Sequence, residues 1–412
     1  MCQMTIDPAV IDRLLAAGDI ASVQALATTL TPHVEAARNR RLQALAQVIT
    51  PPRRHVGSTD IRLLVVSAAF SDCAFTNTGN VVDGILRQVA RYYDEVSGGR
   101  VHVTWQLVGP ITLPNAVAVY ANGDGGRGFA EPNARTMVRD ALARISTTIT
   151  NFASFDTDGD GKLDAFVLLH AGRPAESFPN ERHQLIWSHR GFRAGGNTPD
   201  GRSVDEFLTV SEDSPLGVWC HELGHLLFDW PDLIEGTDEN GQPITHTWCL
   251  MSSGGWNGHY ADSGPGTVPA HPCAPLKARQ EWLTVAIGVD GSTEIAEIEA
   301  SHSAIKLLPQ ASGQEYLFVE NRQRTLFDRA LAGSGLLVWS VSAEEIVLVP
   351  AGGPFDTYLR GTANDPFPGV KHITREDKDG IVLSDISESG QTMHVTISGL
   401  PAPPRHRAVG HQ

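Results

Sequence analysis

Apolar positions along this chain fall into strand-like and helix-like spacings that alternate from Asp60 onwards. Arg62–Val66, Val101–Leu107 and Ala165–His170 read as strands, with Val81–Tyr93 and Asn133–Ile149 as helices between them. That order predicts an α/β (α+β) domain. Ser203–Val210 is expected as an edge strand, free to pair with an extended substrate. Leu216, Trp219, Leu223, Leu226 and Leu227 then supply apolar faces for a largely buried helix. Ser214 suits its N-cap and Pro215 its first position, where a missing N–H costs nothing. After about residue 285 the pattern shortens to runs such as Ala304–Leu308, Tyr316–Val319, Leu336–Val341 and Met393–Ile397, separated by turn residues. These predict an all-β, sandwich-like C-terminal domain. Ahead of Asp60, Pro8–Ala17 and Ser22–Gln47 read as short amphipathic helices, and Pro51-Pro52-Arg53-Arg54 as a linker. The expected division is 1–57 as a helical N-terminal extension or pro-segment, 58–284 and 285–400 as the two domains, and 401–412 as a tail.

The buried helix carries the candidate chemistry, in Cys220-His221-Glu222-Leu223-Gly224-His225. Histidines four residues apart share one helical face, so both imidazoles reach a single ion. Glu222 projects beside that ion and can take a proton from water, the arrangement of HExxH hydrolases. A core helix whose histidines are merely hydrogen-bonded is the plainer reading, but burying three such groups without a metal is costly. A catalytic zinc needs a third protein ligand and one open position. Asp229 can end the helix in the left-handed conformation, letting the chain reverse and present Asp232. If the helix continues instead, Asp229 itself lies four residues past His225 and competes; Glu235 and Asp238 are more distant candidates. Downstream, Met251 sits in the tight, glycine-flanked Trp248-Cys249-Leu250-Met251-Ser252-Ser253-Gly254-Gly255-Trp256, which resembles a Met-turn.

A second constellation is Asp156-Thr157-Asp158-Gly159-Asp160-Gly161-Lys162-Leu163-Asp164. Alternating carboxylates with glycine at the sixth position match the first half of a calcium loop. Val167 stands where an EF-hand has its glutamate, so the alternatives are a structural calcium site on Asp156, Asp158, Asp160 and Asp164 or an acidic surface turn.

HELGHLLFDWPDL followed by WCLMSSGGWNG resembles the immune inhibitor A family of secreted bacterial metallopeptidases. So do DIRLLVVSAAFSD, RYYDEVSGGRVHVTWQLVGPITLP, FDTDGDGKLDAFVLLHAG and LIWSHR upstream, and EYLFVENRQRTLFDRALAGSGLLVWSV and NDPFPG downstream. The resemblance implies a metzincin-like zincin catalytic domain over 58–284, zinc on His221, His225 and Asp232, Glu222 as general base towards a zinc-activated water, and Met251 in the Met-turn. It implies a zinc metalloendopeptidase acting on proteins or peptides. One departure stands out. The family spacing resembles HExxHxxGxxD, whereas here one residue is extra and Asp229 takes the glycine's place, rotating the helix end by about 100°. An inactive relative that binds protein or glycan is therefore the alternative. Tyr260 and His189 are candidate second oxyanion donors.

Composition narrows the partners. A formal net charge of −15 opposes binding to nucleic acid, and no apolar run approaches a membrane span. Five cysteines show no zinc-finger spacing. Cys220 and Cys249 are a candidate disulfide near the site, with buried thiols as the alternative. The resemblance implies an extracellular protein, yet MCQMTIDPAVIDRLL contains no signal segment, which leaves a cytoplasmic location as the alternative. Cys2 is a candidate zinc-capping thiolate should the N-terminal segment cover the cleft.

Overall fold

The computed structural model describes residues 57–234, 246–258, 264–308, 315–342, 345–351, 361–368 and 380–400, together with residues 2, 3, 6, 10, 13, 14 and 17. The chain divides into two compact units, the first running to Trp282 and taking in Leu326–Leu331, the second formed from the chain after Trp282. Of the expected helix Pro8–Ala17, Val10, Arg13 and Leu14 are helical. Ser22–Gln47, the Pro51–Arg54 linker and the 401–412 tail lie outside the described residues.

The first unit is built on a six-stranded sheet of order β1-β5-β6-β4-β2-β3. These strands are β1 (Cys2–Gln3), β2 (Thr59–Ala69), β3 (Val101–Thr112), β4 (Phe166–His170), β5 (His189–Asn197) and β6 (Ser203–Ser211). The pairs β2–β3, β2–β4 and β4–β6 are parallel; β5 runs antiparallel to both β6 and β1. Leu63–Val66 and all five residues of β4 are buried, as parallel strands covered on both faces require. Between β2 and β3 runs α1 (Gly79–Ser97), which ends at Gly98 with φ 66°. α2 (Val117–Ala121) and α3 (Ala134–Ile145) follow β3. Asn133 caps α3, its side chain accepting from the N–H groups of Arg135 and Thr136. Met137, Val138 and Leu142 of α3 share one core with Leu64 and Val66 of β2.

α4 (Leu216–Phe228) carries the HELGH motif, and every one of its residues is buried. Its start differs from the expectation. Pro215 is extended at ψ 165° and stands as the N-cap, so the helix begins one residue later and Ser214 makes no cap. The Ser214 hydroxyl faces Ser188 Oγ at 3.4 Å instead. Tyr93 of α1 ties the two helices together by donating its hydroxyl proton to the Cys220 carbonyl at 2.5 Å. α5 (Ala274–Arg279) closes the unit, and Leu326–Leu331 returns to it, with Asp328 Oδ1 accepting from His271 N at 2.9 Å.

The expected edge strand is also corrected. Ser203–Ser211 lies inside the sheet between β5 and β4, and β5 with the two residues of β1 forms that side. β5 was not legible as a strand because His-Arg-Gly-Phe-Arg-Ala-Gly-Gly-Asn lacks apolar alternation and its register slips between Phe192 and Gly196.

The second unit holds a five-stranded sheet of order β12-β11-β10-β9-β7 and a three-stranded sheet of order β13-β14-β8. In chain order these are β7 (Thr284–Ile287), β8 (Gly291–Ala296), β9 (Ser303–Leu307), β10 (Tyr316–Arg322), β11 (Gly335–Val341), β12 (Ile346–Val349), β13 (Val382–Ser384) and β14 (Thr392–Ser398). Residues of both sheets, including Leu307, Val319, Leu336, Met393 and Ile397, enter one apolar core.

Candidate active site

His221 Nε2 and His225 Nε2 approach to 3.0 Å, and Asp232 Oδ1 lies 3.1 Å from the first and 3.2 Å from the second. The opposite ring nitrogens are already committed. His221 Nδ1 meets the Leu250 carbonyl at 2.9 Å and His225 Nδ1 the Trp230 carbonyl at 2.5 Å. A carbonyl only accepts, so each Nδ1 carries a proton, and in the neutral ring each Nε2 turns a lone pair towards the other. Facing lone pairs repel unless a cation lies among them. The triangle's edges suit one: ligands at 2.0–2.1 Å from a tetrahedral zinc stand about 3.3 Å apart. These three residues and no Asp229 oxygen form the cluster.

The helix ends as it must for that to happen. Asp229 adopts φ 54°, ψ 33°, and its N–H reaches back to the Gly224 and His225 carbonyls. This left-handed backbone costs a non-glycine residue roughly 1–2 kcal/mol, least for Asp and Asn. Trp230 and Pro231 then carry the chain round, and Leu233 N–H bonds the Met251 carbonyl at 2.7 Å. Met251 is fully buried beneath the helix. A Cβ on Gly224 would stand 2.8 Å from Met251 Sδ and 2.9 Å from Trp230 Cε3, so the fourth residue of HELGH is glycine because two side chains already fill its space. Glu222 is buried, and its Oε2 accepts from the Arg190 backbone N–H of β5 at 3.0 Å.

The sequence matches the catalytic-domain model of the immune inhibitor A peptidases, M6, over residues 66–283, more than half of the chain. The chain belongs to this peptidase family. None of the curated proteins matches it. It is therefore a metallopeptidase, and its substrates are proteins or peptides. No described helix is long and apolar enough to cross a membrane.

In this M6 peptidase the remaining candidates separate clearly. Asp229 Oδ1 lies 2.6 Å from Arg190 Nη1 and outside the metal cluster. Glu235, Asp238 and Tyr260 lie outside the described residues. His189 is buried with Nδ1 2.7 Å from the Trp187 carbonyl, and burial pushes its pKa down to about 3, so its ring is neutral at ordinary pH. Among the described residues there is no disulfide. Cys220 and Cys249 are separate thiols, and Cys249 Sγ accepts from Cys273 N at 3.3 Å, which corrects the candidate bridge. In the acidic loop Asp156, Asp158 and Asp164 come together, while Asp160 does not join them and accepts from Lys162 N at 2.8 Å. Asp164 Oδ2 accepts from Thr157 N and Asp156 Oδ2 from Arg202 Nε, both at 2.8 Å, whereas the buried Asp156 Oδ1 makes no hydrogen bond among the described residues. Sequence reasoning missed the groups that orient the site: the Leu250 and Trp230 carbonyls and the Arg190 N–H. Backbone atoms leave no residue-type signature.

Proposed function

We propose that this M6 peptidase is a zinc-dependent endopeptidase, with zinc on His221, His225 and Asp232 and Glu222 as general base. The observation that carries the reading is the convergence of two imidazole lone pairs and one carboxylate oxygen within 3.2 Å, on histidines whose other nitrogens are already committed. Bound there, zinc would acidify a water and polarise the peptide carbonyl. Glu222, held by the Arg190 N–H, would serve as the base that takes a proton from the attacking water and returns it to the leaving amine. The Met251 turn under the helix supports a metzincin-like reading of the catalytic unit, and the two-sheet core of the second unit supports a sandwich-like one.

Because Arg190 N–H touches Glu222, the outer edge of β5 passes beside the base, and an extended peptide pairing there lies at the reacting centre. Cys2 and Gln3 pair with that edge opposite Arg190 and His189. This favours a second reading, a latent form in which the N-terminal residues hold the substrate's place. The acidic loop is read as a structural calcium site on Asp156, Asp158 and Asp164, supported by the buried, unbonded Asp156 Oδ1. An extracellular workplace rests on the family resemblance.

The deciding experiment compares zinc content and cleavage of denatured casein in the wild type and Glu222→Gln. Stoichiometric zinc in both, with cleavage lost in the variant, is the expected result. Cleavage retained by Glu222→Gln overturns the mechanism.

A further inference from the structure

Arg190 touches three acidic residues at once. Its backbone N–H meets Glu222 Oε2 at 3.0 Å. Its guanidinium is 4 % exposed and bridges two carboxylates: Nε and Nη2 reach Glu206 Oε2 of β6 at 2.9 and 2.6 Å, and Nη1 reaches Asp229 Oδ1 at 2.6 Å. Asp229 is the left-handed residue at the helix end, where glycine would sit without strain. The next residue supplies the carbonyl that orients His225, and Asp232 follows two residues later.

We propose that Arg190 is a positioning residue for the metal centre, acting through Asp229 on the turn that carries the Trp230 carbonyl and Asp232. This rests on the zinc reading of the site. It explains why this chain has Asp in a glycine position: a carboxylate there is clamped to β5, the strand that also holds the general base, so base and third ligand are referred to one anchor. A purely stabilising role predicts something different. Asp229 is 42 % exposed, and a pair with so much contact with water contributes little to global stability. Groups that orient metal ligands act instead on metal affinity, typically by 10–100-fold.

The test measures zinc affinity by competition with a chromogenic chelator in the wild type, Asp229→Asn, Asp229→Gly, Arg190→Gln and the Arg190→Gln/Asp229→Asn double variant, alongside thermal unfolding of the metal-free proteins. Asn and Gly both tolerate the left-handed backbone, so the Asp229 variants keep the fold even where the loss of Arg190 does not. Zinc affinity is expected to fall about 10–100-fold in Asp229→Asn and Asp229→Gly, with little change in metal-free Tm. Where Arg190→Gln folds, the double variant is expected to bind zinc no more weakly than it does. Wild-type zinc affinity in both Asp229 variants overturns the clamp and leaves the zinc reading standing. A wild type that takes up no zinc overturns the zinc reading, and the clamp with it.

Discussion

At the residue scale, a glycine within α4 leaves the space that two large side chains, Met251 and Trp230, fill against the helix. Gly224→Ala drives a methyl against Met251 and Trp230, and overpacking of this kind costs about 1–3 kcal/mol. We expect the variant to unfold at lower denaturant than the wild type and to bind zinc more weakly, because Trp230 also carries the carbonyl that orients His225. Wild-type stability would refute the packing account. Two buried histidines outside the His221–His225–Asp232 cluster make stability depend on acid. Burial pushes the His170 pKa from 6.5 down to about 4 and that of His189 down to about 3. The unfolded chain takes up these protons as pH falls below about 6.5, while the folded protein refuses them until about pH 4 and 3. Stability from these rings is therefore full above pH 6.5 and is lost progressively as pH falls towards 3. Urea midpoints measured between pH 7 and 4 should fall with pH, with a shallower slope in His170→Asn.

At the element scale, β5 is the strand whose Arg190 meets Glu222 through its N–H and Asp229 through its guanidinium, and whose outer edge pairs with β1. Deleting residues 1–5 removes the strand paired with Arg190 and His189 and leaves Ile6 and Val10 packed against Ala175 and Trp187. Casein cleavage should rise several-fold with little change in Tm; unchanged cleavage would show that this edge is not the substrate's path. The contrast with α4 explains what was legible in advance. The metal helix announces itself through side-chain types at fixed spacing, so His221, Glu222 and His225 were readable, and the left-handed tolerance of Asp made the reversal towards Asp232 readable as one of two routes. β5 announces little, because the Arg190 N–H that meets Glu222 leaves no residue-type signature and the strand's residues are glycine, arginine and asparagine as much as apolar. The edge assignment of Ser203–Val210 failed for a related reason. An alternating strand looks the same inside a sheet as at its rim, and only the unrecognised neighbour decides.

At the scale of the whole molecule, the first unit is not continuous in sequence. Leu326–Leu331 belongs to it. Asp328 Oδ1 accepts from His271 N, and Phe327 N–H bonds Glu95 Oε1 at 2.8 Å. His271 Nε2 is 2.9 Å from that same glutamate oxygen, with Lys277 Nζ 2.9 Å from His271 Nδ1. Asp328→Ala strips a buried N–H of its acceptor, a loss of about 1–3 kcal/mol. It should lower Tm without altering the zinc stoichiometry. A fragment ending at Trp282 lacks the whole segment and is expected to be less stable than the full chain under the same urea titration.

That returning segment also gives the protein a direction in time. Translation delivers His221, Glu222, His225 and Asp232 about a hundred residues before Asp328, so a nascent chain already bears this cluster while a piece of the surrounding core is still unsynthesised. The catalytic unit reaches its finished packing only after much of the next unit has left the ribosome, which places completion of the peptidase late in its own synthesis.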